Sequence, residues 1–84
     1  MAHSVEFRPR VRKEISALPR HDRARLVKVA MALAENPRPS GCKKLKSCDA
    51  YRIRVGDYRV VYKIYDDVLI VLVIRVAHRR DAYQ

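Results

Sequence analysis

Apolar residues along the chain keep two different periods, and the change falls at Asn36-Pro37-Arg38-Pro39-Ser40-Gly41, a run of helix-stopping and turn-forming residues. Val5, Phe7 and their neighbours predict a short extended start that ends at Pro9. Val11, Ile15 and Leu18 then fall at i, i+4 and i+7, one stripe of a short helix closed by Pro19. Asp22 is the expected N-cap of a second helix over residues 22–35, with Leu26, Val27, Ala30, Met31 and Ala34 on its apolar stripe. The outer face of this helical hairpin is basic, carrying Arg12, Lys13, Arg20, Arg23, Arg25 and Lys28.

After the break the period is that of strands. Tyr51-Arg52-Ile53-Arg54-Val55 alternates, with Tyr51, Ile53 and Val55 on one face and both arginines on the other. Gly56-Asp57 is a two-residue turn signal, and Tyr58, Val60, Tyr62 and Ile64 continue the inward face of a second strand, Tyr58–Tyr65. With only residues 56 and 57 in the turn, Val55 faces Tyr58, Ile53 faces Val60, Tyr51 faces Tyr62, and Arg54 stands opposite Arg59. Asp66-Asp67 predicts the next turn, and residues 68–76 the third strand of the meander.

Like charges opposed across two strands are unfavourable, by a few tenths to about 1 kcal/mol. Folding does not require such a pair. Arg52, Arg54 and Arg59 therefore suggest a cluster kept for a ligand, and a phosphate chain is the natural one; the alternative is three solvated arginines on an exposed face. Residues 68–74 are apolar at every position, so both faces of that strand want cover, and the hairpin can supply only one. Either loops cover the other face, or it is a docking surface that adjoins the arginines.

The 84 residues suit one domain spanning 1–84. Nineteen Lys and Arg against nine Asp and Glu give a formal charge of +10, and thirteen of the bases are Arg. That balance draws polyanions or an acidic partner, while a hydrophobic content of 49% excludes a disordered basic tail. No apolar run reaches the length of a membrane span. The segment Met1–Glu6 lacks a basic stretch leading into an apolar one, so no signal peptide is expected. Cys42 and Cys48 match no zinc spacing and are expected as free thiols of a cytoplasmic protein, with no metal or cofactor.

The chain ends Val76-Ala77-His78-Arg79-Arg80-Asp81-Ala82-Tyr83-Gln84, placing His78, Arg79 and Tyr83 at or beyond the carboxyl end of the last strand. Histidine transfers protons near neutrality, a tyrosine can transfer a proton or stack on a base, and arginine neutralises charge on a phosphate. These groups suffice for RNA cleavage in which the ribose 2′-OH attacks its own phosphate; the bland alternative makes His78 and Tyr83 ordinary tail residues. Other chemistries lack their parts. There is no Gly-rich phosphate loop, no serine at a nucleophile elbow and no spaced carboxylate pair.

The order of elements, the loop into Lys43-Lys44-Leu45-Lys46, the stretch Tyr51-Arg-Ile-Arg-Val-Gly-Asp-Tyr-Arg-Val-Val-Tyr62 and the ending His78-Arg-Arg-Asp-Ala-Tyr83 resemble the RelE/ParE toxin superfamily over essentially the whole chain. The ending is more similar to the RelE branch. The resemblance implies an α+β fold, a small antiparallel sheet (N-terminal strand plus C-terminal three-stranded meander) packed against an N-terminal helical hairpin. It implies a toxin of a type II toxin–antitoxin module that cleaves mRNA in the ribosomal A site. Arg52 and Arg54 match positions near the scissile phosphate, Arg59 the phosphate-steadying arginine, Arg79 a second basic residue, and Tyr83 the tyrosine that stacks or assists proton transfer; His78 is the expected auxiliary acid–base. Lys43, Lys44, Lys46 and Arg80 join Arg52 and Arg54 as expected RNA contacts. Some relatives place a lysine, a candidate base, where this chain has Arg52 or Arg54, and Arg with its pKa above about 12 is a poor base. Proton removal would then fall to His78, Tyr83 or the ribosome. The expected partners are the ribosome, mRNA and a short acidic RelB-like antitoxin in a hetero-oligomeric complex. Two other readings stay open: a ParE-like DNA gyrase inhibitor that acts by binding alone, and a plain nucleic-acid-binding module.

Overall fold

The computed structural model describes residues 2–45 and 49–78. The chain begins with strand β1 (Ser4–Phe7), followed by helix α1 (Pro9–Ser16) and helix α2 (Arg20–Ala32). Four strands follow: β2 (Lys43–Lys44), β3 (Tyr51–Val55), β4 (Tyr58–Tyr65) and β5 (Ile70–His78). They form one five-stranded sheet in the order β1-β5-β4-β3-β2. The architecture is α+β, with both helices on one face. The meander β3-β4-β5 is antiparallel, as the alternation predicts, whereas β1 joins β5 in parallel. The two-residue strand β2, which the sequence reading does not contain, extends the sheet beyond β3.

Pro9 occupies the first turn of α1, where its fixed φ suits a helix and its missing N–H costs nothing. The helix ends where the Ser16 hydroxyl donates to the Lys13 carbonyl at 2.9 Å, three residues before Pro19. The second helix starts earlier than expected. Pro19 is its N-cap, with extended backbone, so Asp22 lies inside the first turn rather than at the cap. There its charge complements the helix dipole and it accepts a hydrogen bond from the Tyr58 hydroxyl at 3.2 Å. α2 ends at Ala32 rather than Glu35, and of its expected stripe only Leu26 and Ala30 are buried, joined by Leu33. Val27 and Met31 face outward at 38% and 50% exposure.

The core lies between the helices and the inner face of the sheet: Val11, Ile15, Leu26, Ala30 and Leu33 pack on Val55, Val60, Tyr62, Val71 and Val73. Tyr62 is wholly buried; its ring stacks on Tyr51 at 6.0 Å and its hydroxyl donates to the Pro37 carbonyl at 2.8 Å. The β3–β4 register is the one the alternation predicts, with Tyr51 on Tyr62, Ile53 on Val60 and Val55 on Tyr58. Gly56 makes the turn possible: its φ is +61°, Asp57 follows at negative φ, and Gly at the first central position is the type II′ arrangement that suits twisted hairpins.

Candidate functional site

The face of the sheet turned away from the helices is built from the alternate residues of each strand. Its rows follow from the register. One row, next to the hairpin turn, runs Arg54, Arg59, Ala77 across β3, β4 and β5; the next runs Lys43, Arg52, Val61, Arg75 across β2 to β5. Further along come Lys63 beside Leu72, and Tyr65 beside Ile70. The expected arginine face therefore exists, basic toward the β3–β4 turn and more apolar toward the opposite end. Among the described residues, Arg52, Arg54 and Arg75 have no carboxylate partner.

Arg75 was not among the residues singled out from the sequence, and a β-bulge is the reason. Tyr62 pairs with Val73 while the adjacent Val61 pairs with Arg75, so Ile74 is one extra residue in β5. Strict alternation from Val73, which faces the core, would turn Arg75 inward. The extra residue shifts the phase by one, sending Val76 into the core and Arg75 to the outer face. The signal was present: Arg75 is the charge that ends the apolar run.

The same shift decides the place of His78. It pairs with Tyr58, and the two rings meet edge to face at 5.2 Å on the helix side of the sheet. His78 is thus set apart from Arg52, Arg54 and Arg59, contrary to the expectation that it would join them. The lysines divide likewise. Lys43 shares the Arg52 row, whereas Lys44 pairs with Tyr51 and lies 3.8 Å from Asp49. Lys46, Arg79, Arg80 and Tyr83 lie outside the described residues.

Three hollows mark the basic end. A cleft of about 470 Å³ beyond the short strand β2 is lined by Ser40, Gly41, Lys43, Arg52, Ile53 and Arg54. One of about 220 Å³ lies among Leu45, Arg52, Arg59, Val61, Arg75 and Ala77. A small one of about 50 Å³ sits between Arg54 and Arg59 at the turn. The loop that carries Ser40 and Gly41 is pinned by Arg38, which donates to Asp66 at 2.9 Å and to the Tyr51 hydroxyl at 3.3 Å. His3 approaches the same Asp66 at 3.1 Å. The Arg38 and His3 hydrogen bonds hold the Asp66 carboxyl below its ordinary range. Burial pushes the Tyr62 phenol up, and burial followed by the nearby Asp22 charge does the same for Tyr58. Chemically, the face offers guanidinium groups for anions around an apolar floor. Among the described residues no group of His, Cys, Asp and Glu is placed to hold a metal ion, and no helix is long and apolar enough to cross a membrane.

A basic sheet face backed by two helices defines a class that comparison makes specific. Residues 5–83 match the family described as the ParE toxin of type II toxin–antitoxin system, parDE. The chain therefore belongs to that family, within the RelE/ParE superfamily. It is 32% identical to toxin RelG of Mycobacterium tuberculosis over 87 residues, covering 100% of this chain and 99% of that one. It is 33% identical to the mRNA interferase toxin RelE of Escherichia coli over 81 residues, covering 94% and 85%. Its fold is similar to the toxin–antitoxin complex RelBE2 of Mycobacterium tuberculosis, with a TM-score of 0.84, 29% identity, and coverage of 94% of this chain and 100% of that one.

Proposed function

We propose that this chain is a ribosome-dependent mRNA endonuclease that arrests translation. The observation that carries the reading is the outward cluster of Arg52, Arg54 and Arg59, in which Arg54 and Arg59 face each other across two strands. The name of the Escherichia coli relative, an mRNA interferase, supports the same reaction class. Arg52, Arg54 and Arg59 bind the scissile phosphate and neutralise the charge that builds as the 2′-oxygen bonds to phosphorus and the 5′-oxygen departs. Arg79 adds a further positive charge, and Tyr83 orients the substrate or moves a proton. His78, beside Tyr58 on the other face, is the weaker candidate for acid–base work, which leaves the 2′-OH proton to Tyr83 or to a group of the ribosome. Lys43 extends the RNA track along the Arg52 row; Lys44, Lys46 and Arg80 contribute further positive charge toward RNA. The chemistry needs no metal or cofactor, and its setting is the cytoplasm.

The neutralising partner in this reading is a short acidic antitoxin in a hetero-oligomeric complex. Charge supports it, as does the solution of a similar toxin within a toxin–antitoxin complex. Arg59→Ala should abolish growth arrest and mRNA cleavage, read by primer extension on cellular transcripts, while leaving a folded chain. Full toxicity of that variant would sink the assignment. One observation favours a second reading: the matched family is that of the ParE toxin. A gyrase inhibitor would leave transcripts intact and block supercoiling by purified gyrase, so the two assays together separate the readings.

A further inference from the structure

We infer that Arg75 is a substrate-binding residue, and that with Arg52 and Arg59 it forms a second anion subsite, so that the face grips two consecutive phosphates of one RNA strand. The inference rests on the nuclease reading and deepens it. Its first support is the bulge at Ile74, past which Arg75 stands on the outer face beside Val61 while Val76 packs on the core; bulges are enriched beside active sites. The second is the shape of the face. Arg59 lines both the small hollow it shares with Arg54 and the larger cleft of about 220 Å³ that it shares with Arg52 and Arg75. Two hollows that meet at one arginine, the smaller also bordered by Asp57, suit a repeating anion rather than a single phosphate.

The floor of the larger cleft is apolar, made by Leu45, Val61 and Ala77, while arginines form its walls. Arg52 and Arg75 flank Val61 from strands roughly 10 Å apart, two strand spacings. A ribose or base can rest on Val61 while the planar guanidinium groups on either side take phosphate oxygens in pairs. Arg75 is available for this. Glu14, which lines the same edge cleft, is paired with Arg10 at 3.2 Å through Oε1 while its Oε2 is buried without a hydrogen-bond partner, and among the described residues no ion pair joins it to Arg75.

The test uses the full chain and a single-stranded RNA oligonucleotide bearing 2′-O-methyl groups throughout, which blocks the nucleophile and prevents cleavage. Affinity is measured against salt for the wild type, Arg75→Gln, Arg75→Lys and, as a control on the helix face, Arg12→Gln; circular dichroism confirms that each is folded. Arg75→Gln should lower the slope of log affinity against log salt by about 0.7, one phosphate's worth on a single strand. Arg75→Lys should keep most of the slope, and Arg12→Gln should leave it unchanged. A slope for Arg75→Gln equal to that of the wild type, or a loss matched by Arg12→Gln, overturns the subsite. Cleavage of cellular mRNA by the wild type judges the nuclease reading separately. An unchanged slope with cleavage intact sinks only the subsite, and a changed slope without cleavage sinks only the nuclease.

Discussion

Arg54 and Arg59 stand directly opposite each other, one position from the Gly56-Asp57 turn. Neither can move away by a change of pairing. Sliding β3 by one residue would carry Ile53 and Val55 to the outer face and drive the arginines toward the core. The pairing of these two like-charged residues is therefore built into the hairpin, held by Val55 and Val60 on the buried side.

Removing one member should separate stability from function. Arg54→Gln is expected to raise the unfolding free energy by a few tenths to about 1 kcal/mol, measured by denaturant titration at low salt. The gain should shrink in molar salt, where charges beyond about 3 Å are screened. RNA cleavage should fall in the same variant. A variant no more stable than the wild type at low salt would show that the two groups do not repel in the free chain.

Tyr62 ties the centre of the sheet to the proline loop, because its hydroxyl donates to the Pro37 carbonyl from a wholly buried position. Tyr62→Phe should cost about 1–3 kcal/mol by leaving that carbonyl without its donor. The variant also tests the pH dependence. Burial raises the folded phenol above its ordinary value of 10.0, so the unfolded chain loses the proton first. Stability is then fully present below about pH 10 and falls as pH rises beyond it. Alkaline unfolding curves should decline less steeply for Tyr62→Phe than for the wild type.

Asp66 predicts the opposite limb. Its carboxyl is depressed by Arg38 and then His3, so the stability it contributes is present above the unfolded carboxylate pKa of about 3.9 and is lost as pH falls through the folded value. Asp66→Asn should be less stable than the wild type at neutral pH, and the difference should close in acid. Thermal unfolding followed from pH 7 down into strong acid measures it; a difference that stays constant over that whole range would point to packing rather than charge.

The hairpin was legible because three signals agreed: the alternation from Tyr51, the two-residue turn, and aromatic and β-branched residues on one face. They yielded the register and the arginine face together. The start of α2 was not, because Asp22 is as plausible a cap by composition as it is a first-turn acid, and Pro19 settled the matter. Val27 and Met31 keep helical spacing yet stay exposed, since the sheet covers only the Leu26, Ala30, Leu33 stripe. Arg75 and His78 were misplaced or missed for one shared reason. A phase shift inside an unbroken apolar run leaves no mark on the pattern of apolar and polar residues, and everything after Ile74 changes face with it.

That phase shift can be tested by deletion. Ile74 is the residue without a pairing partner, so its removal leaves Val73, Arg75 and Val76 alternating in, out, in, with every existing β4–β5 pair preserved. The Ile74 deletion should therefore fold and unfold cooperatively, with Arg75 still outward, at a modest loss from the half-buried side chain it removes. Deleting Val61 from the unbulged partner strand has the opposite result. It brings Val60 and Tyr62 together, so that one of these two wholly buried residues must face water or Arg59 must turn toward the core. Far-UV circular dichroism and thermal melts of the two deletions should show a sharp transition for the first and none for the second. Equal loss of folding in both would mean that Ile74 contributes to the sheet more than an extra link in the chain.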